Sequence, residues 1–166
     1  MKPSISMALL TLPLLASAPL AQAASHSITT FIEEQDLNGD GKVSMAELKA
    51  GRQVGFIKAD FDESGSLTEV EYVSEYEGRL MLQLSKIADP EKRTEEQQRQ
   101  MRQAHVRFGV LDTDKNGLID YNEYLASGVK MFEHHDRDKD GFVTDKDRVL
   151  LEQAEKDGKG DDFITP

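Results

Sequence analysis

Oxygen-bearing side chains recur at one fixed spacing four times along the chain, in the windows 36–47, 60–71, 112–123 and 136–147. At the first, third and fifth places of each window stand Asp36, Asn38 and Asp40; Asp60, Asp62 and Ser64; Asp112, Asp114 and Asn116; and Asp136, Asp138 and Asp140. The sixth place is always glycine (Gly41, Gly65, Gly117, Gly141), the eighth always aliphatic (Val43, Leu67, Ile119, Val143), and the twelfth is Glu47, Glu71, Glu123 or Asp147. Short polar side chains on alternate residues of a tight turn converge on one point, and a carboxylate seven residues later reaches back to it. That arrangement makes an oxygen cage.

A hard divalent cation of calcium's size takes six to eight oxygens at about 2.3–2.6 Å and tolerates an irregular cage. Glycine at place 6 permits the left-handed turn that folds the second half of the window back. The backbone carbonyls of Lys42, Ser66, Leu118 and Phe142 at place 7 supply one oxygen each, and Ser44, Thr68, Asp120 and Thr144 at place 9 hold a water or ligate directly. Acidic surface turns would not carry an aliphatic residue at place 8 in every copy.

With these residues in place, the chain resembles the EF-hand calcium-binding superfamily in its calmodulin-like form, over four loops and their flanking helices. The resemblance implies an all-α fold of four helix-loop-helix motifs, with up to four Ca2+ held by the residues named above. It also implies that helices pack through Ile32, Phe56, Phe108 and Phe132 before the loops and Leu48, Tyr72 and Tyr124 after them, while Arg148 leaves the last helix most loosely held. Within the family an Asp at place 12 favours the smaller Mg2+ or weakens Ca2+. Loops 1 to 3 are therefore expected to be ordinary calcium sites, loop 4 the weak or Mg2+-tuned one, and loop 2, with neutral Ser64, the next weakest.

The elements that must position these loops are short connectors and one long hairpin. Twelve residues separate the loops on either side, 48–59 and 124–135, with a common offset of 24 residues. If Gly51, Gly55 and Gly128 break the connectors, loops pair in sequence, 1 with 2 and 3 with 4. If each connector is one helix of about 15 residues, it is about 22 Å long and holds adjacent loops apart. Between loops 2 and 3, apolar residues recur at helical spacing through Tyr76, Leu80, Leu84 and Ile87, and again through Met101, Ala104, Phe108 and Leu111. Asp89-Pro90 between them reads as an N-cap with proline in the first turn. A helical hairpin there favours nested pairing, 2 with 3 and 1 with 4. The charged run 91–107 reads as its solvated face.

Of 166 residues, 31 are acidic and 20 basic, a net charge of −11, and cysteine is absent. The charge argues against nucleic-acid partners, and the missing thiols exclude disulfide scaffolds, thiolate zinc sites and cysteine nucleophiles. His134 and His135 are adjacent and do not face one point on a helix, which argues against zinc. Residues 1–23 carry Lys2, an apolar run from Met7 to Leu20 and Ala21-Gln22-Ala23, the pattern of a secretory signal peptide. A retained anchor would need about 20 apolar residues, and Pro13 and Pro19 interrupt that run; once the segment is removed, no stable membrane insertion is expected. The organisation read from sequence is a signal peptide at 1–23, loops 1 and 2 in 24–88, loops 3 and 4 in 89–157 and a flexible tail at 158–166.

No nucleophile-base spacing or phosphate-cradling glycine loop appears, so a non-enzyme is expected. Resemblance to exported bacterial EF-hand proteins implies a periplasmic or secreted location. Bound calcium would supplement a chain only 38% hydrophobic, each site adding about 2.7 kcal/mol at 100-fold excess over its dissociation constant. Three roles remain open: a calcium sensor signalling to an unidentified protein partner, a calcium buffer, or a calcium-stabilised adaptor. Met45, Met81, Met101 and Met131 either line a groove or fill the core.

Overall fold

The computed structural model describes residues 27–159. The signal-peptide reading at 1–23 and residues 160–166 of the tail lie outside them. The described residues are mostly helical, with six helices and four strands of two or three residues: α1 Ile28–Gln35, β1 Lys42–Ser44, α2 Met45–Ala59, β2 Ser66–Leu67, α3 Glu69–Leu84, α4 Pro90–Leu111, β3 Ile119–Asp120, α5 Tyr121–His135, β4 Phe142–Thr144 and α6 Asp145–Lys156.

Both connectors are unbroken 15-residue helices, α2 and α5. Gly51, Gly55 and Gly128 do not break them, because each lies where α2 or α5 meets a neighbour. A Cβ on Gly55 would meet the Tyr124 hydroxyl at 3.1 Å, and one on Gly128 would meet Arg52 Nε at 2.9 Å. The helical penalty of glycine is offset by this close approach.

Since each connector separates its own loops, the strands pair across the chain. β1 runs antiparallel to β4 with Val43 opposite Val143, and β2 antiparallel to β3 with Leu67 opposite Ile119. The pairing is nested, 1 with 4 and 2 with 3, so each pair draws one loop from each side of the 88/89 boundary. All four place-8 side chains are fully buried. Around them sit two apolar clusters. One gathers Phe56, Ala59, Leu67, Phe108, Leu111, Ile119 and Tyr124. The other gathers Ile28, Phe31, Val43, Leu48, Phe132 and Val143, with Met45 and Met131 packed against it. Ile28 and Phe31 are the buried residues of α1, and Ile32, partly buried, packs against the same cluster.

The α3–α4 hairpin leads out of loop 2 and into loop 3 and joins the first cluster through Tyr72, Phe108 and Leu111. Asp89 caps α4, accepting from the amides of Glu91 and Lys92, with Pro90 in the first turn. Leu80, Leu84 and Ala104 close its interior, joined by a buried amide, Gln100, which accepts from the Tyr76 hydroxyl at 2.6 Å and donates to Glu96 at 2.7 Å. α6 buries only Asp147 of its own residues. Among the described residues no helix is long and apolar enough to cross a membrane.

Candidate metal centre

Each loop is built around its first carboxylate. Asp36, Asp60, Asp112 and Asp136 accept from the place-6 glycine amides at 2.8, 2.9, 3.0 and 3.0 Å. Those glycines have φ between +80° and +89°, the region a Cβ disfavours. Place 4 is also left-handed: glycine serves in loop 1 (Gly39), but Glu63, Lys115 and Lys139 adopt φ near +60° in the others. The periodicity of the sequence carries no signal for that second turn.

The place-12 acid stands at the third residue of the following helix and completes a capping box with place 9 in all four loops. Its second oxygen reaches across the loop. Glu71 Oε1 accepts from Phe61 and Asp62 amides at 3.0 and 3.4 Å, and Glu123 Oε1 from Thr113 and Asp114 amides at 2.6 and 3.3 Å. Asp147, although one methylene shorter, reaches the same two places, accepting from Arg137 and Asp138 at 2.8 and 3.3 Å. It is 1% exposed, the most buried acid described. In loop 1 the arrangement differs, because Glu47 Oε2 is held by Ser44 while Oε1 is buried with no hydrogen-bond partner.

Three groups of carboxylates thereby converge, with ligand atoms within 4.8 Å of one another: Asp60, Asp62 and Glu71; Asp112, Asp114 and Glu123; and Asp136, Asp138 and Asp147. Loop 1 lacks an equivalent triad of acids because its third place is the amide Asn38. The place-5 residues Asp40, Ser64, Asn116 and Asp140 stand outside the triads. The Asp40, Asn116 and Asp140 side chains accept from the place-7 amides of Lys42, Leu118 and Phe142 at 2.8–3.0 Å, and Ser64 Oγ hydrogen-bonds to the Ser66 carbonyl. Lys42, Ser66 and Phe142 open β1, β2 and β4, and Leu118 directly precedes β3.

These hydrogen bonds hold the loop carboxylates in their charged form. The Gly41 amide is the chief cause of the lowered pKa of Asp36, the Ser44 amide of that of Glu47, and the Thr68 hydroxyl of that of Glu71. Burial pushes Glu123 up, yet its hydrogen bonds to Thr113 and Asp120 leave it lowered as well. Asp138 is lowered mainly by Lys146, whose Nζ pairs with it directly. Charged carboxylates clustered around a point, with a buried oxygen lacking any donor at Glu47, fit a hard cation. The Lys146 pairing escaped the sequence reading because place 11 has no role in the cage.

A predominantly helical chain with paired, carboxylate-lined loops at helix starts defines a cation-binding helix-loop-helix protein. The family model described as EF hand matches residues 31–51 and 106–126, which contain loops 1 and 3. These two matches support assignment of the chain to the EF-hand calcium-binding superfamily. A search of curated proteins returns no match.

Proposed function

We propose that the protein binds Ca2+ at all four loops and acts as an exported calcium sensor, with loops 2 and 4 completing the set begun by the two family matches. The observation that carries this reading is the carboxylate convergence at places 1, 3 and 12, together with the unpartnered Glu47 oxygen at loop 1. Because the place-12 acids cap α2, α3, α5 and α6, drawing them onto an ion shifts helix starts, which is the movement a sensor needs. Loop 4 is the weakest calcium site or a Mg2+ site, since Lys146 competes for Asp138 and Asp147 is short. The carboxylate triads belong to the loop cages, and no catalytic role is proposed for them. Export rests on the signal-peptide pattern at 1–23, and places the protein in the periplasm or outside the cell.

A second reading, a buffer or calcium-stabilised adaptor, is favoured by the close packing of α2 on α5 at Gly55 and Gly128, which restrains helix movement. Calorimetric titration with Ca2+ and Mg2+ counts the sites. Circular dichroism and binding of a hydrophobic dye, with calcium and with chelator, separate the roles. The sensor gains dye-binding surface with calcium at constant helix content, whereas the buffer does not. Absence of binding heat at millimolar calcium overturns both.

A further inference from the structure

Between the two apolar clusters lies a cavity of about 530 Å³, walled by α1, α2, α3, α4 and α5. It is remote in character from the loops, because its charged lining is mainly basic: Arg52, Lys58, Arg79 and Arg107 against Glu34 and Glu75. Glu75 is already engaged by Arg79 at 2.8 and 3.0 Å, and Glu34 is exposed. Arg52 and Arg107 make no ion pair among the described residues.

Arg52 is the informative group. Its guanidinium lies over the Tyr124 ring, 3.6 Å from the centroid, and donates to the Tyr124 carbonyl and to Ser127 Oγ at 2.7 Å. Nε is buried without an acceptor. Arg107 lies over the ring of Tyr76, 5.6 Å from the centroid, and near Tyr72. A half-buried cation with no ion-pair partner is unfavourable, and burial is the main cause of the lowered pKa of Arg52. A chain with a net charge of −11 has carboxylates in surplus, yet none forms an ion pair with these two guanidinium groups, Glu75 acting on Arg52 only at longer range.

We propose that this cavity binds a small organic carboxylate with an apolar body, its charge met by Arg52 and Arg107 and its body packed against Leu48, Tyr72, Leu111 and Met131. The size falls within the range of small-molecule sites, about 300–1,000 Å³, and a few polar groups in an aromatic and aliphatic wall are the usual composition. Arginine supplies charge-assisted, directional hydrogen bonds to a carboxylate. The site takes its ligand independently of the loops and stands whether or not the sensor reading holds.

The test uses the full chain and 4-phenylbutyrate, with 4-phenylbutanol and 4-phenylbutylamine as neutral and cationic controls, titrated by calorimetry both in millimolar calcium and in chelator. One-to-one binding of the carboxylate is expected in at least one buffer, about tenfold tighter than the alcohol, weakening as salt is raised, with the amine not bound. Ring-proton NMR signals of Tyr72, Tyr76 and Tyr124 should shift. Arg52→Met and Arg107→Gln should each weaken the complex about tenfold. Circular dichroism checks folding, and if Arg52→Met does not fold, Arg107→Gln decides. The proposal is overturned if the alcohol binds equally well, if the folded variants bind like the parent, if the shifts fall on other residues, or if no binding occurs in either buffer.

Discussion

Lys146 places a cation against Asp138 inside the fourth loop, so an incoming metal ion there must displace an amine as well as water. Replacing it by methionine keeps the stem and removes the charge. Lys146→Met should tighten binding at loop 4 by about twofold to fivefold, the range of an exposed ion pair, and leave loop 2 unchanged. Site-resolved NMR of the Gly141 and Gly65 amides during calcium titration checks both halves of that statement. Glu47→Gln probes the unpartnered oxygen of loop 1 from the other direction. It retains the bond from Ser44 through one oxygen but removes the charge, and calcium binding at loop 1 should be lost in calorimetry while the metal-free chain remains folded.

The same carboxylates set a pH response for the metal-free chain. Asp36, Glu47, Glu71, Glu123 and Asp138 all have pKa values lowered by folding, against ordinary values of about 3.9 for Asp and 4.3 for Glu. A group lowered in the folded state binds protons more readily when unfolded, so its stabilisation is complete above the unfolded value and lost as pH falls through the folded one. For these groups donated hydrogen bonds outweigh mutual repulsion. In chelator, the urea midpoint should therefore be flat above about pH 5 and fall below about pH 4; a midpoint that rises on acidification would contradict the assigned direction.

At the scale of elements, each two-stranded bridge is held by one fully buried aliphatic pair. Ile119→Ala should cost about 2–5 kcal/mol, the usual range for truncating a buried aliphatic side chain. Because Ile119 faces Leu67, a double-mutant cycle between them should give a coupling of about 0.5–3 kcal/mol, while Leu67 with Val43 should be additive within about 0.5 kcal/mol. The reverse outcome, coupling between Val43 and Leu67, would refute the nested pairing. The nested pairing also explains why the connectors tolerate glycine. A helix shared by two loops must approach its partner closely, and Gly55 and Gly128 are where α2 and α5 do so.

Across the molecule, α2 and α5 each carry a loop acid at both ends. Glu47 stands at the start of α2 and Asp60 caps its end; Glu123 stands at the start of α5 and Asp136 caps its end. Each helix thus belongs to both paired-loop clusters, and an ion that repositions one end acts on a loop in the other cluster. Glu123→Gln, which disables loop 3, should change affinity at loop 4 by about 5-fold or more, corresponding to a coupling of about 1–3 kcal/mol. The Gly141 amide reports it. Unchanged loop-4 binding would mean that the clusters act as separate units despite their shared helices.

The loop windows, their left-handed glycines, the place-12 acids at the helix starts and the hairpin turn at Asp89-Pro90 were legible in the sequence, because each depends on local spacing: alternate oxygens, a glycine for a left-handed turn, a cap followed by proline. Spacing also left two pairings open, and the intact helices α2 and α5 decided between them, since glycine's local penalty competes with close packing visible only once both helices are in place. The Lys146–Asp138 pair, the buried Gln100 and the basic cavity around Arg52 had no sequence signature. They join residues through the folded surface, where distance along the chain carries no information about distance in space.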